Sequence, residues 1–156
     1  MAFTSKPIAL GSDESNSLTA AITDALSKEH RLRCFGALVT GSTASEKLWV
    51  PAAASVAKAI QSGECEYGVL FCYTGTGVAM AANKFKGIRA ALCADKETAI
   101  GARRWNNANV LVMSLRLTTP TLGLEILDGF FSAHPDSDEE TRYCLTELEK
   151  LDSKLK

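Results

Sequence analysis

The sequence predicts an α/β fold: a doubly wound αβα sandwich with about five parallel strands and a C-terminal helix. Three observations predict it. Short apolar runs alternate with segments of helical period along most of the chain. The most informative run, Val69-Leu70-Phe71-Cys72, is followed at once by a turn with two glycines and then by a helical pattern. The length, 156 residues, suits one compact domain over the whole chain. Repeated βα units place helices on both faces of a parallel sheet, which is the Rossmann-like arrangement.

Taken in order, Ile8-Ala9-Leu10 reads as the first strand, and the helical spacing over 18–26 as the first helix. A second strand is expected over 33–38. The polar stretch Gly41-Ser42-Thr43-Ala44-Ser45-Glu46 reads as a surface excursion. A helix over 52–60 leads to the buried strand over 69–72 and the helix over 78–83. Strand 89–93, helix 97–104, strand 109–114 and helix 121–131 continue the alternation. After the acidic start Asp136-Ser137-Asp138-Glu139-Glu140, the residues Tyr143, Leu145, Leu148 and Leu151 recur at helical spacing, so a last helix is expected over about 137–155. Its apolar stripe needs a covering surface, from this chain or from a second copy.

Apolar residues make up 46% of the chain and charged residues 22%, with a formal net charge of -1. Such a balance offers no basic field for nucleic acid. The start of the chain lacks the charge, apolar run and small-residue site of a secretion signal, and no apolar stretch is long enough to span a membrane. A cytoplasmic protein is therefore expected. The five cysteines, Cys34, Cys65, Cys72, Cys93 and Cys144, form neither CxxC pairs nor zinc spacing. Reduced thiols are expected, with all but Cys72 acting as small buried hydrophobes.

The chemistry concentrates in Cys72-Tyr73-Thr74-Gly75-Thr76-Gly77-Val78. A parallel sheet opens its ligand crevice at the carboxyl ends of its strands, which puts Cys72 at the mouth. Gly75 and Gly77 let backbone approach an oxyanion, and the N–H groups at the start of the next helix point towards it. A glycine pair of this kind also serves simply to make a strand-to-helix turn, and a cysteine ending a strand is also a plain core residue. A thiol beside a helix start is favoured as the thiolate, the form that acts as a base.

The stretch from Cys72 to Ala91, with Ile8-Ala9-Leu10-Gly11-Ser12-Asp13 before it and Asn106-Asn107-Ala108-Asn109-Val110-Leu111 after it, resembles the ribose-5-phosphate isomerase B and galactose-6-phosphate isomerase family. The likeness spans roughly 7–131, with gaps over 36–50. The resemblance implies an aldose–ketose isomerase of phosphorylated sugars acting through a cis-enediolate, with no metal and no cofactor. Cys72 would be the base, Thr74 would assist proton transfer, and Asp13 would hold a hydroxyl. The backbone of Tyr73, Gly75, Thr76, Gly77 and Val78 would form the anion hole. Arg116 and Arg142 would bind the phosphate. Asn106 would reach the site from the second subunit of a homodimer, standing alone or paired into a tetramer. For Asp13 a capping role for the next helix stands beside this reading, and for Arg142 a solvated surface role. Arg103 and Arg104, beside Asn106, are expected at an exposed helix end, where they would steer an anionic substrate.

Two family histidines are absent. Asp13 is followed by Glu14, and Trp105 stands where the resemblance would place the histidine that opens a furanose ring. His30 and His134 align with neither position. Ribose 5-phosphate is the leading substrate. Without the ring-opening histidine another acid such as Glu14 substitutes, the substrate opens unaided, or the substrate is already acyclic; the last makes a tetrose phosphate, which cannot close a furanose and needs no ring opener, the alternative substrate. Tyr73 and Trp105 add aromatic bulk that would reshape a pocket or pack an interface. A sugar-phosphate-binding subunit without turnover is the competing function, and no nucleotide-binding fingerprint supports a third.

Overall fold

A computed structural model describes residues 4–155. Five strands form a single parallel sheet: β1 (Ile8–Ser12), β2 (Leu32–Gly36), β3 (Tyr67–Cys72), β4 (Ala90–Leu92) and β5 (Val110–Ser114). The order across the sheet is β2-β1-β3-β5-β4, with β3 in the middle. Between them run α1 (Ser17–Ser27), α2 (Trp49–Gln61), α3 (Thr76–Ala82) and α4 (Lys96–Asn106), and α5 (Pro120–Ser132) and α6 (Glu139–Asp152) close the chain. Every expected element is present. Among the described residues no helix is long and apolar enough to cross a membrane.

The sheet is covered on both faces, which is why its strands read as continuous apolar runs. Side chains alternate along a strand. Val69 and Phe71 of β3 therefore join Leu18, Ile22, Ile126 and Phe130 of α1 and α5 in one core cluster. Leu70 and Cys72 face the other way, into a cluster with Val56 of α2 and Val78 of α3. The thiol thus belongs to the α2/α3 face of the central strand.

Helix boundaries follow local chemistry. Asn16 caps α1, its side chain accepting from the N–H groups of Leu18 and Thr19 while Thr19 Oγ1 accepts from the Asn16 N–H. This cap is one reading the sequence assigned to Asp13, and the structure gives it to Asn16 instead. Helix α2 begins at Trp49, three residues before the expected start. Pro51 is tolerated there because the first turn has no intrahelical use for its missing N–H. Helix α3 likewise starts at Thr76 rather than at Val78.

Helix α6 lies along the far end of α4. Arg104 of α4 forms two 2.9 Å hydrogen bonds with Asp136 just before α6, and Asp152 at its end accepts from the Gly87 N–H at 2.9 Å. Leu148, Leu151 and Leu155 flank an open cavity of about 540 Å³ with Asn106, Arg89 and Ile88, and all three leucines are exposed, so this chain leaves most of the stripe uncovered. Tyr143 is exposed as well.

Candidate active site

Strand β1 leads outward to β2 and pairs with β3 on its other side, so the chain parts between the carboxyl ends of β1 and β3. That is where a doubly wound sheet opens its crevice. Ser12 pairs with Phe71, which sets Asp13 level with Cys72 across the opening, and Cys72 pairs with Ser114 on β5.

Cys72 is 5% exposed. Its backbone and that of Tyr73 are tied to the continuation of β5. Leu115 N–H donates to Cys72 O at 3.0 Å, Arg116 N–H to Tyr73 O at 3.0 Å, and Ser114 Oγ to Tyr73 O at 3.0 Å. Arg116, exposed, is held at the site by that backbone bond. Thr74 and Thr76 join their hydroxyls at 2.7 Å at the rim.

The two glycines do different jobs. Gly75 caps α3 in the left-handed region, at φ 78° and ψ -19°, and a Cβ there would lie 2.5 Å from Leu92 Cδ1 and 3.3 Å from the backbone of Met113 and Ser114. Gly77 is helical without positive φ. The three heavy atoms nearest to where its Cβ would stand all belong to the indole of Trp49, at 3.0, 3.2 and 3.4 Å. No side chain caps α3, and its first turn leaves the N–H groups of Thr76, Gly77 and Val78 without intrahelical acceptors. They face the crevice mouth beside the thiol. Trp49 was not read from the sequence; the signal was an apolar Leu48-Trp49-Val50 run ending a polar excursion at the carboxyl edge of the sheet.

Asp13 is partly buried, and its Oδ1 has no hydrogen-bond partner. Burial raises its carboxyl above the ordinary carboxylate value, and the charge of exposed Glu14 adds to this. The folded chain therefore holds this proton more tightly than the unfolded chain. Stability falls as pH rises from the unfolded aspartate value, about 3.9, through the raised folded value, and the loss is complete above it. Asp13→Asn is expected to raise Tm at neutral pH, with the gain fading towards pH of about 3.5, while turnover falls. Thermal melts of both proteins across that range check it; a gain that is independent of pH overturns it.

The other expected site residues lie elsewhere in this chain. Trp105 and Asn106 end α4, near the amino ends of the strands, where Asn109 O accepts from the Gly68 N–H. Trp105, 55% exposed, folds back over Gly101 of its own helix. Arg142, exposed on the first turns of α6, belongs to this group too, one turn before Leu145, which faces Arg89 and Asn107. Tyr73, 63% exposed, stands with Cys72, so the two aromatics do not share a pocket within one chain.

Two expectations fail here. Arg103 is 2% exposed rather than a steering charge. Its guanidinium stacks 5.1 Å over the Tyr67 ring and donates to Ala108 O at 2.6 Å and Asn107 Oδ1 at 3.1 Å, because α4 turns this position inward. Arg104 is held by Asp136. Cys144 is exposed, not a buried hydrophobe, because it lies on the outer side of α6. Cys34 is only half-buried, whereas Cys65 and Cys93 are buried as expected, and burial pushes the Cys93 thiol up to about 12. His30 and His134 line a groove between α1 and α5, at the amino end of the sheet. Among the described residues no group of three His, Cys, Asp or Glu side chains could hold a metal ion.

Comparison with known proteins agrees with this fold. The family model described as Ribose/Galactose Isomerase matches residues 8–145. A D-erythrulose-4-phosphate isomerase of Pectobacterium atrosepticum is 36% identical over 131 residues, 81% of this chain and 82% of that protein. The ribose-5-phosphate isomerase B of Escherichia coli is 40% identical over 94 residues, 60% of this chain and 63% of that one. In two Mycoplasma relatives the matched stretch is about half of their length, 51% and 56%. The solved ribose-5-phosphate isomerase B of Clostridium thermocellum superposes with a TM-score of 0.85 at 30% identity, over 96% of this chain and 99% of that one. With the family model matched across nearly every strand and helix, and Cys72 placed at the crevice between β1 and β3, the chain belongs to the ribose/galactose isomerase family.

Proposed function

We propose that this chain is an aldose–ketose isomerase of phosphorylated sugars working through a cis-enediolate, with ribose 5-phosphate and ribulose 5-phosphate as its leading pair. The observation that carries it is the junction of Cys72 with the uncapped turn at Gly75 in the β1/β3 crevice, between Asp13 and Arg116. Cys72, as thiolate, removes the C2 proton of the open aldose phosphate. The electron pair moves into the C1–C2 double bond, and negative charge develops on O1. The N–H groups of the first turn of α3 stabilise that charge. The thiol returns the proton to C1 while the C2 hydroxyl passes its own proton to O1, with Thr74 assisting, which leaves the ketose. Arg116 fixes the phosphate and Asp13 a hydroxyl.

Trp105, Asn106 and Arg142 cannot serve Cys72 of their own chain from the amino end of the sheet. A homodimer that brings this group to the partner's crevice gives them the substrate and phosphate roles implied by the family resemblance.

A specific observation favours a second reading, an acyclic tetrose phosphate. Neither histidine lies at the crevice, Trp105 stands at the ring-opening position, and the relative named for D-erythrulose 4-phosphate matches four-fifths of both chains. The test is the wild-type rate on erythrose 4-phosphate and ribose 5-phosphate. Turnover of ribose 5-phosphate at the higher kcat/KM supports the pentose reading. Turnover confined to the tetrose phosphate selects the second. Tight binding with no turnover of either would leave a binding subunit in place of an enzyme.

A further inference from the structure

We propose that Trp49 forms the wall of the phosphosugar site on the α2 side and sets how long a carbon chain the site accepts. The inference rests on the isomerase reading of the Cys72 loop. Strands β2 and β3 end at the same edge of the sheet, so α2 and α3, which follow them, both begin there, and their first turns lie side by side. Trp49 is the first residue of α2, and its indole covers the space a side chain at Gly77 would fill, at 3.0–3.4 Å.

This contact explains a glycine that backbone conformation does not. Gly77 has no positive φ, so its missing side chain serves close approach, and the group that approaches is an indole. Trp49 is also 44% exposed. With one part packed against Gly77, the rest forms an apolar surface at the mouth of the crevice, of the kind on which the C–H groups of a sugar chain pack.

Length selection follows from fixing both ends of the substrate. Cys72 holds the reacting carbons and Arg116 the phosphate, so each additional carbon between them must bow outward against a wall. On the α2 side that wall is Trp49. A wall of this kind discriminates between substrates one carbon apart by about 10–200-fold.

The experiment compares wild type, Trp49→Ala and Trp49→Phe on erythrose 4-phosphate, ribose 5-phosphate and galactose 6-phosphate. Trp49→Ala is expected to raise the kcat/KM ratio of each longer sugar over the tetrose by at least about tenfold, and Trp49→Phe to shift it less. Equal loss on all three sugars overturns the proposal, because a structural defect lowers every rate alike. A second readout titrates wild type and Trp49→Phe with the non-isomerisable acid 4-phosphoerythronate, the difference in their emission isolating the Trp49 indole. A saturable change in that difference, at the dissociation constant measured by calorimetry on wild type, is expected. Calorimetric binding with that difference unchanged overturns the wall, and so does absence of binding. If wild type turns over none of the three sugars, the isomerase reading fails, and the emission titration still decides the placement of Trp49.

Discussion

Cys72→Ala is expected to lower kcat by about 10³-fold on whichever phosphosugar the wild type turns over, within the 10²–10⁴-fold span of a positioned general base. The thiol is the one proton acceptor that β3 delivers to the crevice, and its placement does not depend on its own chemistry. Leu115 N–H holds the Cys72 carbonyl and Ser114 pairs across from it, so the backbone of residue 72 keeps its position when the sulfur is removed. The cost to folding is that of one small side chain leaving the α2/α3 cluster, about 1 kcal/mol, or about 2–4 °C in Tm for a chain of this size. Cys72→Ser separates shape from basicity. It keeps a similar side chain while replacing the thiol with a hydroxyl too weakly acidic to supply the anion, and it is expected to fall with alanine. Steady-state rates, thermal melts and exchange of the C2 proton with solvent deuterium check this together. A Cys72→Ala protein that keeps more than about a tenth of wild-type kcat would remove the thiol from the chemistry.

The sheet was legible because each strand is buried on both faces, so apolar runs such as Val69 to Cys72 stand out without any knowledge of their neighbours. Cys72 was legible for a related reason, as the end of such a run, whereas Asp13 and Arg116 were reached through the family resemblance; all three sit where strands β1, β3 and β5 end. Position along a helix was harder. Arg103 and Arg104 are adjacent in sequence, yet a 100° step per residue turns one into the Tyr67 and Phe130 rings and leaves the other beside Asp136. Nothing in the local spelling separates them. Trp49 was hidden differently. Its role depends on α2 and α3 beginning at one edge of the sheet, a fact of topology, and on an absent side chain at Gly77 whose usual explanation is the turn itself. The remoteness of Trp105, Asn106 and Arg142 from Cys72 follows from the direction of α4, which runs back towards the amino ends of the strands before β5 begins.

The difference between the two loop glycines gives the second large effect. Gly75→Ala is expected to lower kcat by about 10²-fold and Tm by several degrees, whereas Gly77→Ala leaves Tm much nearer to wild type. At Gly75 two costs coincide. An L residue at φ 78° carries strain of about 1–2 kcal/mol, and the new methyl group would press on the backbone of Met113 and Ser114, which is fixed in the centre of the sheet and cannot yield as the tip of Leu92 can. The loop must therefore move away from β5. That motion works against the bonds by which Leu115 and Arg116 hold Cys72 and Tyr73, and it carries the thiol, the first-turn N–H groups and Arg116 out of register with one another. A misplacement of about 1 Å at a reacting centre costs about 10²-fold. At Gly77 the backbone is unstrained, and the neighbour is the indole of Trp49, a half-exposed side chain that can shift by a few tenths of an ångström. Gly77→Ala thus moves a wall of the pocket and keeps the loop. Melting curves with kcat and KM for both variants test the contrast. Equal losses from the two substitutions would show that the turn tolerates neither methyl group and that the separate roles assigned to these glycines are wrong.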